Sequence, residues 1–471
     1  MPLILGTNSI KDTGYDVANS VRFNRSDDSY MSRTFGTPTN RKKFTVSFWI
    51  KRSNITLSGG MALFGSDGGS SSYFSTIHFN PTDDLCVGAA NGGSDQINLV
   101  TDRKFRDVAA WYHICVIFDS TQGTDTNRVK VYVNGIQETS FSSNTYPSQN
   151  DEFLFNQGTK VHSIGKFPYG SNVLSIDGYI SEFVFIDGTT TSITDFGEFD
   201  EDSPTIWKAK DVSELTFGNN GCYLDFEDSG DLDDDESGNG NDFTATNVEA
   251  IDQCTDTCTN NFATLNPLAV MHSSGSNTFS EGNLKITNSA DAFRTSISTL
   301  AVSKGKWYFE SKWSGGEMKQ YIGITKTQEV MEYLGQTANS YSFQGEQGRK
   351  YNNNSQSSFG STASSGDIIM VAFDADNGAI WTGKNGTWFN SATQSEIEAG
   401  TTTNAMFSSI TIDDFFAVGV TVEDSNIEMN FGSPPYSISS GNSDGNGYGN
   451  FEYAVPSGYY ALNTKNLAEF G

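Results

Sequence analysis

The chain has 471 residues, of which 36% are hydrophobic and 18% are charged, and its formal net charge at pH 7 is −28. This length suggests two or three domains, each long enough to bury a core of its own. The negative charge repels phosphate backbones and so excludes nucleic acid as a partner, and no apolar run approaches the roughly 20 residues of a membrane span.

The first part of the chain predicts a β-sandwich. Residues 1–20 are polar and without a pattern, and we expect them to form an N-terminal arm. From residue 21, short strand patterns alternate with turn clusters at intervals typical of an all-β sandwich. The segment 44–51, for example, alternates large apolar residues with mostly polar ones, which is the period of a strand with one buried face. We predict a sandwich over residues 21–210.

The same strand–turn pattern occurs twice in different settings. An apolar strand, a polar turn and an alternating strand that ends in Asn-Gly are found in segments 111–138 and 366–389. Asn and Gly both tolerate the positive φ that tight hairpins need. The repetition of this pattern, without alignable sequence between the halves, indicates two separate sandwiches.

The remaining segments complete the predicted domain organisation. Residues 211–275 include an acidic, glycine-rich run and are predicted to be a connector with little core. Strand patterns resume near 284 and predict a second sandwich over 276–435, followed by a C-terminal tail over 436–471 whose residues 459–462 dock on the body. The predicted fold class is all-β: two antiparallel, jelly-roll-like β-sandwich domains joined by an acidic, Gly-rich connector.

Five cysteines are too few and too scattered for a disulfide framework. Cys86 and Cys115 lie in apolar strand patterns and are predicted to be core thiols. Cys254 and Cys258 are separated by three residues, but a zinc site would need two further ligands. We expect two solvent-side thiols, and the sequence leaves open whether they pair.

Two sets of sequence elements are each shared with a known family. The first set is Phe44–Ile50, Trp111–His113, Lys130–Gly135 and Ile176–Phe183. With these elements, residues 21–210 resemble the laminin-G-like, concanavalin-type jelly roll. The second set is Gly305–Glu310, Tyr321–Ile324, Gly366–Asp367, Lys384–Gly386 and Asn430–Pro435. With these, residues 276–435 resemble SPRY domains.

These resemblances imply recognition rather than catalysis. Laminin-G-like domains bind glycans or proteins, often with Ca²⁺, and SPRY domains bind peptides or proteins through loops at one end. As a tandem, the chain resembles virion proteins of tailed phages that infect marine bacteria. Fold alone does not determine function, so the site residues must be considered individually.

Glucanases share the concanavalin-type fold, so an enzyme is an alternative to a binding protein. Those enzymes place paired carboxylates on one strand face, about 5 Å apart in the retaining class. The nearest approach is Glu198, Asp200 and Asp202, which lie in a run that we interpret as a solvated acidic turn. His113 has no nucleophile in a suitable turn and is predicted to be a sandwich side chain. We therefore expect no catalytic residues and no enzyme activity.

One segment resembles the start of a calcium-binding loop. Asp233, Asp235 and Ser237 occupy alternate positions before Gly238, as do the first oxygen ligands of such a loop. A full loop would need Glu at position 244, where Thr244 stands instead. The alternatives are an incomplete calcium site and a disordered acidic connector, and we expect no cofactor to be required.

Ligand-binding residues are expected on the end loops of the two sandwiches. Aromatic rings stack on the C–H faces of sugars, and amides pair with hydroxyls. Each position also fits an ordinary polar turn. The candidates are Tyr73, Tyr169 and Asn172 in the first domain and Arg349, Tyr351 and Asn352 in the second.

The expected function is that of a non-enzymatic virion protein: a fibre, decoration or adhesin subunit on the particle exterior. Its expected partners are other virion proteins, through the arm at 1–20, and a host-surface glycan or protein. No membrane insertion is expected, and homo-oligomerisation is left open because no coiled-coil heptad is visible. The alternatives are a polysaccharide-degrading enzyme and a purely structural particle protein.

Overall fold

The computed structural model describes residues 11–70, 72–167, 174–269, 271–272, 275–315 and 319–471. The chain forms two compact units. The N-terminal unit comprises residues 13–259, and the C-terminal unit comprises residues 260–471 together with Lys11 and Asp12. No helix within the described residues is long and apolar enough to cross a membrane.

Short strands dominate the N-terminal unit, as its alternating patterns predict. Its strands are β1 Ser20–Phe23, β2 Tyr30–Thr34, β3 Lys43–Arg52, β4 Met61–Ser70, β5 Tyr73–Phe79, β6 Asp84–Asn91, β7 Ser94–Lys104, β8 Trp111–Asp119, β9 Val129–Val133, β10 Ile136–Gln137, β11 Phe141–Thr145, β12 Val161–Ile164, β13 Gly178–Asp187, β14 Gly197–Phe199, β15 Trp207–Ala209, β16 Cys222–Leu224, β17 Thr244–Thr246 and β18 Gln253–Cys254. Single 3₁₀ turns lie at Arg25–Asp27, Asp125–Asn127, Ile193–Asp195 and Ala250–Asp252.

These strands form a sandwich of two antiparallel sheets. The first sheet has the order β10-β9-β8-β3-β13-β1-β18, with β16 also paired to β13, and the second has the order β11-β7-β6-β5-β4-β12-β2-β17. Alternate residues of β3, such as Phe44 and Val46, enter the core between the sheets and are fully buried. The predicted first β-sandwich is confirmed.

Residues 193–259 cover the outer face of the first sheet. Trp49 of β3 and Trp111 of β8 lie on that face and are buried against Trp207 of β15. Phe196 and Phe217 pack in the same way over Cys115 and neighbouring residues. An isolated sandwich would expose this face to solvent. In the N-terminal unit, residues 193–259 cover it and form a second packed layer with it.

The segment predicted as a connector with little core differs in the structure. β16, β17 and β18 pair with β13, β2 and β1, so residues 222–254 extend both sheets. Phe226, Leu232 and Phe243 enter the main core. The acidic composition of this segment gave no indication that these widely spaced apolar residues belong to the core of the sandwich. The expected arm also differs at its end, because Val17 is buried and β1 starts at Ser20.

The C-terminal unit has the same kind of architecture. Its strands are β19 Thr278–Ser280, β20 Lys285–Asn288, β21 Arg294–Val302, β22 Lys306–Gly315, β23 Gln320–Lys326, β24 Ser340–Gln344, β25 Arg349–Asn352, β26 Ser355–Ser358, β27 Ile368–Asp374, β28 Ala379–Lys384, β29 Thr387–Trp388, β30 Phe416–Val422, β31 Ser425–Asn430 and β32 Tyr460–Ala461. Its helices are α1 Gln394–Glu398 and α2 Thr464–Phe470, with 3₁₀ turns at Phe389–Ser391 and Thr402–Asn404.

Two antiparallel sheets again enclose a core. One sheet has the order β19-β20-β31-β22-β27-β28-β29, and the other has the order β21-β30-β23-β24-β25-β26. Trp307, Trp313 and Phe343 are among the fully buried residues between them. Trp381 and Trp388 flank the Lys-Asn-Gly hairpin, and both are buried on the outer face of the sheet that runs from β19 to β29. The expectation that at least one of them belongs to a core is confirmed.

The C-terminal segment is part of this unit rather than a tail. β32 pairs in parallel with β22, which confirms the predicted docking of residues 459–462. The buried Glu310 carboxylate accepts hydrogen bonds from the backbone N–H groups of Glu452 (2.9 Å) and Tyr453 (2.8 Å). Asp444 similarly accepts from the backbone N–H of Ala461 (2.9 Å). Buried carboxylates thus hold a glycine-rich segment whose composition alone indicated little order.

None of the five cysteines, all of which lie in the described part of the chain, forms a disulfide. Cys86 and Cys115 are buried in their strands, as predicted. The expectation of two solvent-side thiols is wrong for Cys254, which is only 2% exposed and packs in the layer beneath Trp49 and Trp207. Burial follows from the pairing of β18 with β1, which the acidic surroundings of this segment did not indicate.

Candidate functional site

A group of aromatic residues lies on the outer face of the six-stranded sheet of the C-terminal unit. Ile322 and Ile324 of β23 enter the core, so the preceding Tyr321 lies on the opposite face. Tyr351 of β25 lies on that face as well, and its ring centroid is 5.2 Å from that of Tyr321. The strand period places both tyrosines on one face, and the pairing of β23 and β25 with the intervening β24 brings their rings together.

A loop adds a third tyrosine to this face. The backbone N–H of Leu334 donates to Thr421 Oγ1 (2.9 Å), and Ser342 Oγ donates to the Leu334 carbonyl (2.7 Å). These bonds hold Tyr333 with its ring centroid 5.5 Å from that of Tyr321 and 6.1 Å from that of Tyr351.

Phe293 completes the group, because its ring centroid lies 5.6 Å from that of Tyr321 and 5.5 Å from that of Tyr333. Phe293, Tyr321, Tyr333 and Tyr351 are hereafter the tyrosine patch. Tyr321 is buried, whereas the other three rings are half-buried and so partly open to solvent. Aromatic surfaces of this kind stack on the C–H faces of sugars or on apolar side chains.

Polar groups border the tyrosine patch. Tyr351 Oη donates to Gln356 Oε1 (2.5 Å), and Arg349 Nη1 donates to the same oxygen (2.8 Å). The Tyr333 hydroxyl bonds to the Asn354 side-chain oxygen. Within the described residues, no carboxylate lies within ion-pair distance of Arg349, so its positive charge is not neutralised by a described partner.

The phenol groups of the patch stay neutral over a wide pH range. Burial, reinforced by the neighbouring tyrosines, raises the pKa of Tyr321 well above its usual value. Burial likewise raises the pKa of Tyr351. Neutral hydroxyls can both donate and accept hydrogen bonds. The patch therefore combines stacking surfaces, hydroxyls, amides and one cation, which is a set suited to recognition.

The sequence candidates of this region divide between two roles. Arg349 and Tyr351, two residues apart on β25, both border or form the patch. Asn352 is on the other face of the strand, where its side-chain N–H group donates to the carbonyls of Ala338 (3.0 Å) and Ser340 (2.9 Å). Its placement is that of a structural residue, and its predicted ligand-binding role stays a prediction.

Of the three ligand-binding candidates in the N-terminal unit, the structure describes only Tyr73. Tyr73 is half-buried at the start of β5, and its hydroxyl donates to Gln157 Oε1 (3.3 Å). The same oxygen accepts from Arg41 Nη2 (3.1 Å). Tyr169 and Asn172 lie outside the described residues. Ligand binding by these three residues stays a prediction.

Asp235 has a structural role that the sequence did not indicate. Its Oδ1 accepts from the backbone N–H groups of Tyr223 (2.9 Å) and Ser237 (3.0 Å). Its Oδ2 accepts from the Asn241 backbone N–H (2.8 Å) and from Ser237 Oγ (2.8 Å). A carboxylate offers about four acceptor positions, and here all of them are used to shape the turn.

The other members of the suggested calcium loop are also engaged. Asp233 Oδ2 accepts from the backbone N–H of Ala245 (2.5 Å). Among the residues that the structure describes, no group of three or more His, Cys, Asp or Glu side chains is arranged to hold a metal ion. Calcium binding by Asp233, Asp235 and Ser237 is untested, and because it would require these hydrogen bonds to be broken, we expect their structural role to prevail.

We expect Asp235→Ala to lower the melting temperature of the N-terminal unit to the same extent in millimolar calcium and in chelator. The reason is that the substitution leaves three backbone N–H groups without their acceptor, at roughly 1–3 kcal/mol for each buried group. Differential scanning calorimetry measures both conditions. Asp228→Ala, on an exposed turn of the same acidic run, is the control. A melting temperature that rises with calcium in the wild type but not in Asp235→Ala would contradict this expectation and establish a calcium site.

The suggested catalytic carboxylates Glu198 and Asp200 are each paired with a lysine. Glu198 forms an ion pair with Lys210 (3.2 Å), and Asp200 forms one with Lys208 (3.2 Å). Hydrogen bonding from the Ser203 backbone, together with Lys208, lowers the pKa of Asp200. A general acid of a glycosidase needs a raised pKa, so Asp200 is poorly suited to that role.

His113 is buried in the layer between β8 and residues 193–259. Its Nδ1 accepts from Trp207 Nε1 (3.2 Å), so its Nε2–H donates to Ser47 Oγ (2.8 Å). Burial lowers the pKa of His113 to about 3, which keeps the ring neutral. The prediction that His113 is a sandwich side chain is confirmed.

Comparison with known families supports both predicted domains. Residues 25–192 match the family model of the concanavalin A-like lectin/glucanases superfamily, and residues 306–434 match the model of the SPRY domain. No curated protein matches the chain. The resemblances that the sequence suggested for 21–210 and 276–435 are thus confirmed at the level of the domain family.

Several solved structures are similar to parts of the chain. The SPRY domain of human HERC1 is 14% identical, with 35% of this chain and 96% of that chain covered and a TM-score of 0.27. The heptameric SAP-like pentraxin from Limulus polyphemus is 16% identical, with 38% and 81% covered and a TM-score of 0.28. Stonustoxin is 19% identical, with 36% of this chain but only 27% of its own chain covered and a TM-score of 0.26.

Proposed function

We propose that this chain, which contains a concanavalin A-like domain and a SPRY domain, is a non-enzymatic recognition protein on the exterior of a bacteriophage particle. Both domain families fit a binding module. The observation that carries the proposal is the tyrosine patch with Arg349 at its border. Its partly exposed rings, with Arg349 hydrogen-bonded to Gln356 but without an ion-pair partner among the described residues, offer a binding surface that needs no catalytic group.

The ligand that best fits this surface is a host-surface glycan that carries carboxylate groups. The rings of Tyr333 and Tyr351 offer stacking surfaces for sugar C–H faces. Arg349 offers planar N–H donors that match a carboxylate. In a protein of net charge −28, the half-buried Arg349, which has no ion-pair partner among the described residues, is a local attraction for an anionic ligand.

The proposal includes the absence of enzyme activity, and the contacts of three carboxylates support it. Glu198 and Asp200 are each paired with a lysine. The buried Glu310, whose pKa is raised chiefly by burial, uses its oxygens to hold the C-terminal segment. The enzyme alternative predicts reducing-sugar release from polysaccharide, abolished by Glu198→Gln or Asp200→Asn.

Attachment to the particle through residues 1–20 and homo-oligomerisation are further parts of the proposal. Antibody labelling of purified particles, with serum against residues 276–435, tests the location by electron microscopy. Label on tail fibres or on the head supports the particle role. A protein absent from particles would contradict it.

We expect Tyr333→Ala and Arg349→Ala each to weaken binding of a hexuronate hexasaccharide by about tenfold, since each removes a stacking or ionic contact of roughly 1–2 kcal/mol. Isothermal titration calorimetry on the full chain provides the measurement. Tyr341→Ala is the matched control, because Tyr341 lies on neighbouring β24 but packs against the core, 5.3 Å from Phe407. Loss of affinity in the control alone, or binding that neither patch variant changes, would refute the role of the patch. If the ligand proves to be a host protein, the tyrosine patch would still be the binding site, but the proposed glycan ligand would be wrong.

A further inference from the structure

A groove of about 670 Å³ lies beside the outermost strands of the C-terminal unit. β26 is the last strand of the six-stranded sheet, and β29 is the last strand of the other. The groove is lined by residues 359–361, which follow β26, and by residues 384, 385 and 387–391, which include β29. We call it the Trp388 groove. It shares no lining residue with the tyrosine patch.

Contacts between the two walls keep the groove in place. Lys384 Nζ donates to the carbonyl of Thr362 (2.8 Å). Gly360 lies directly against the ring of Phe389, where an added Cβ would come within 2.7 Å of ring atoms. Phe389 in turn packs on Phe343 of the core, with ring centroids 4.9 Å apart. A groove formed by packed residues loses little entropy when a ligand enters.

The floor of the groove is aromatic and its rim is polar. Trp388 is 9% exposed and Phe389 is 8% exposed, so both present only an edge or part of a face. The indole N–H of Trp388 donates to no described residue. The exposed residues around them carry hydroxyl or amide groups: Ser361, Asn385, Thr387, Asn390 and Ser391.

The groove carries almost no net charge, in contrast to the acidic surface of the chain. Lys384 is the one charged residue among those that line it, and its ammonium lies 3.2 Å from the Asp367 carboxylate. Neither 351–366 nor 385–395 contains a charged residue. A neutral ligand therefore fits this site better than an ionic one.

The backbone at the rim holds two polar side chains in an uncommon conformation. Asn390 and Ser391 both have positive φ, 57° and 59°. Asn tolerates this region, but Ser seldom adopts it, and such residues concentrate at ligand-binding positions. Both side chains are exposed beside the aromatic floor.

We propose that the Trp388 groove binds a neutral oligosaccharide. Aromatic rings, amides and hydroxyls without net charge are the groups that recognise hexose units, and the volume lies within the range of small-molecule sites. An extended peptide is less well accommodated, because it adds to a sheet edge as a strand and β29 offers only two residues. This site is independent of the acidic ligand assigned to the tyrosine patch.

Binding of the full chain to neutral hexasaccharides of glucose, galactose and mannose, each at millimolar concentration, tests the proposal by saturation-transfer NMR and calorimetry. At least one probe is expected to bind. Asn390→Gly removes the amide but keeps the left-handed backbone, and Trp388→Phe removes the indole N–H but keeps an aromatic floor. Each is expected to weaken binding about fivefold, the loss of one hydrogen bond.

Asn150→Gly is the matched control, because Asn150 is exposed with a φ of 68° in the N-terminal unit. The control should bind the neutral probe as the wild type does. Only variants whose melting temperature equals that of the wild type are compared. Weaker binding by either groove variant supports the proposal. If no neutral probe binds, or if both groove variants bind as the control does, the proposal is overturned. Arg349→Ala should leave this binding unchanged, which separates the groove from the tyrosine patch.

Discussion

Asp83→Ala is expected to lower the free energy of unfolding of the N-terminal unit by about 3–5 kcal/mol, the usual cost of breaking a buried ion pair. Asp83 and Arg52 are both fully buried, and Arg52 Nη2 lies 3.1 Å from Asp83 Oδ1. The same carboxylate accepts from the Thr56 backbone N–H (2.6 Å) and from Arg106 Nε (3.0 Å). Removing it leaves the Arg52 charge in the interior without a counter-ion.

Urea unfolding of the two variants Asp83→Ala and Arg106→Ala provides the comparison. The side chain of Arg106 is 57% exposed, so its loss should cost less than about 1 kcal/mol. An Asp83→Ala variant that is no less stable than Arg106→Ala would show that the buried pair contributes nothing.

The same site predicts a loss of stability in acid. Burial by itself raises the pKa of Asp83, but hydrogen bonds from Thr56 and Arg106 and the charge of Arg52 outweigh it, and the net pKa is lowered. The stabilisation is therefore present above the pKa of an unfolded aspartate and is lost as the pH falls through the lowered folded value.

Glu182→Gln is expected to stabilise the N-terminal unit at alkaline pH. Glu182 lies in β13 at an irregularity of its pairing with β3, with a φ of 50°, and is 5% exposed. Both of its oxygens lie 3.0 Å from the Tyr223 hydroxyl. Burial raises the pKa of Glu182 to about 8, despite this hydrogen bond. Ionising the carboxyl in the folded state is therefore costly.

The sign of the effect follows from the raised pKa. An unfolded glutamate loses its proton near pH 4.5, whereas folded Glu182 keeps its proton until about pH 8. Stability therefore falls as the pH rises between these values, by about 5 kcal/mol in total at 1.36 kcal/mol per pKa unit.

Glutamine cannot ionise, so the wild-type and Glu182→Gln stabilities should diverge across this interval. Denaturant unfolding at a series of pH values measures the difference, with exposed Glu201→Gln as the control. Parallel pH profiles for wild type and Glu182→Gln would disprove a raised pKa.

The sequence predicted the sandwiches but not what covers them. Alternation along β3 identifies one face as apolar, and it also shows Trp49 on the other face without saying what would bury it. The partner, Trp207, is more than 150 positions away, in a segment that has no strand period of its own. Similarly, Phe226 and Leu232 stand alone in an acidic run, so only tertiary structure reveals that they fill the core.

The tyrosine patch was predictable only in part. Arg349 and Tyr351 are two residues apart on a strand, so their shared face follows from the period. Tyr333 reaches them because hydrogen bonds between Leu334, Thr421 and Ser342 fix a loop across the sheet. No local signal in the sequence encodes a contact of that kind.

The layer formed by residues 193–259 has a consequence for the order in which the chain is made. The strands of the first sheet from β1 to β13 are synthesised before any of the residues that cover their outer face. At roughly 5–20 residues per second, synthesis of that covering segment takes about 3–13 s. For this interval the indole rings of Trp49 and Trp111 lack the residues that bury them in the finished unit. A nascent chain at that stage exposes an aromatic surface that the finished protein lacks, and transiently exposed apolar surface of this kind is prone to aggregation.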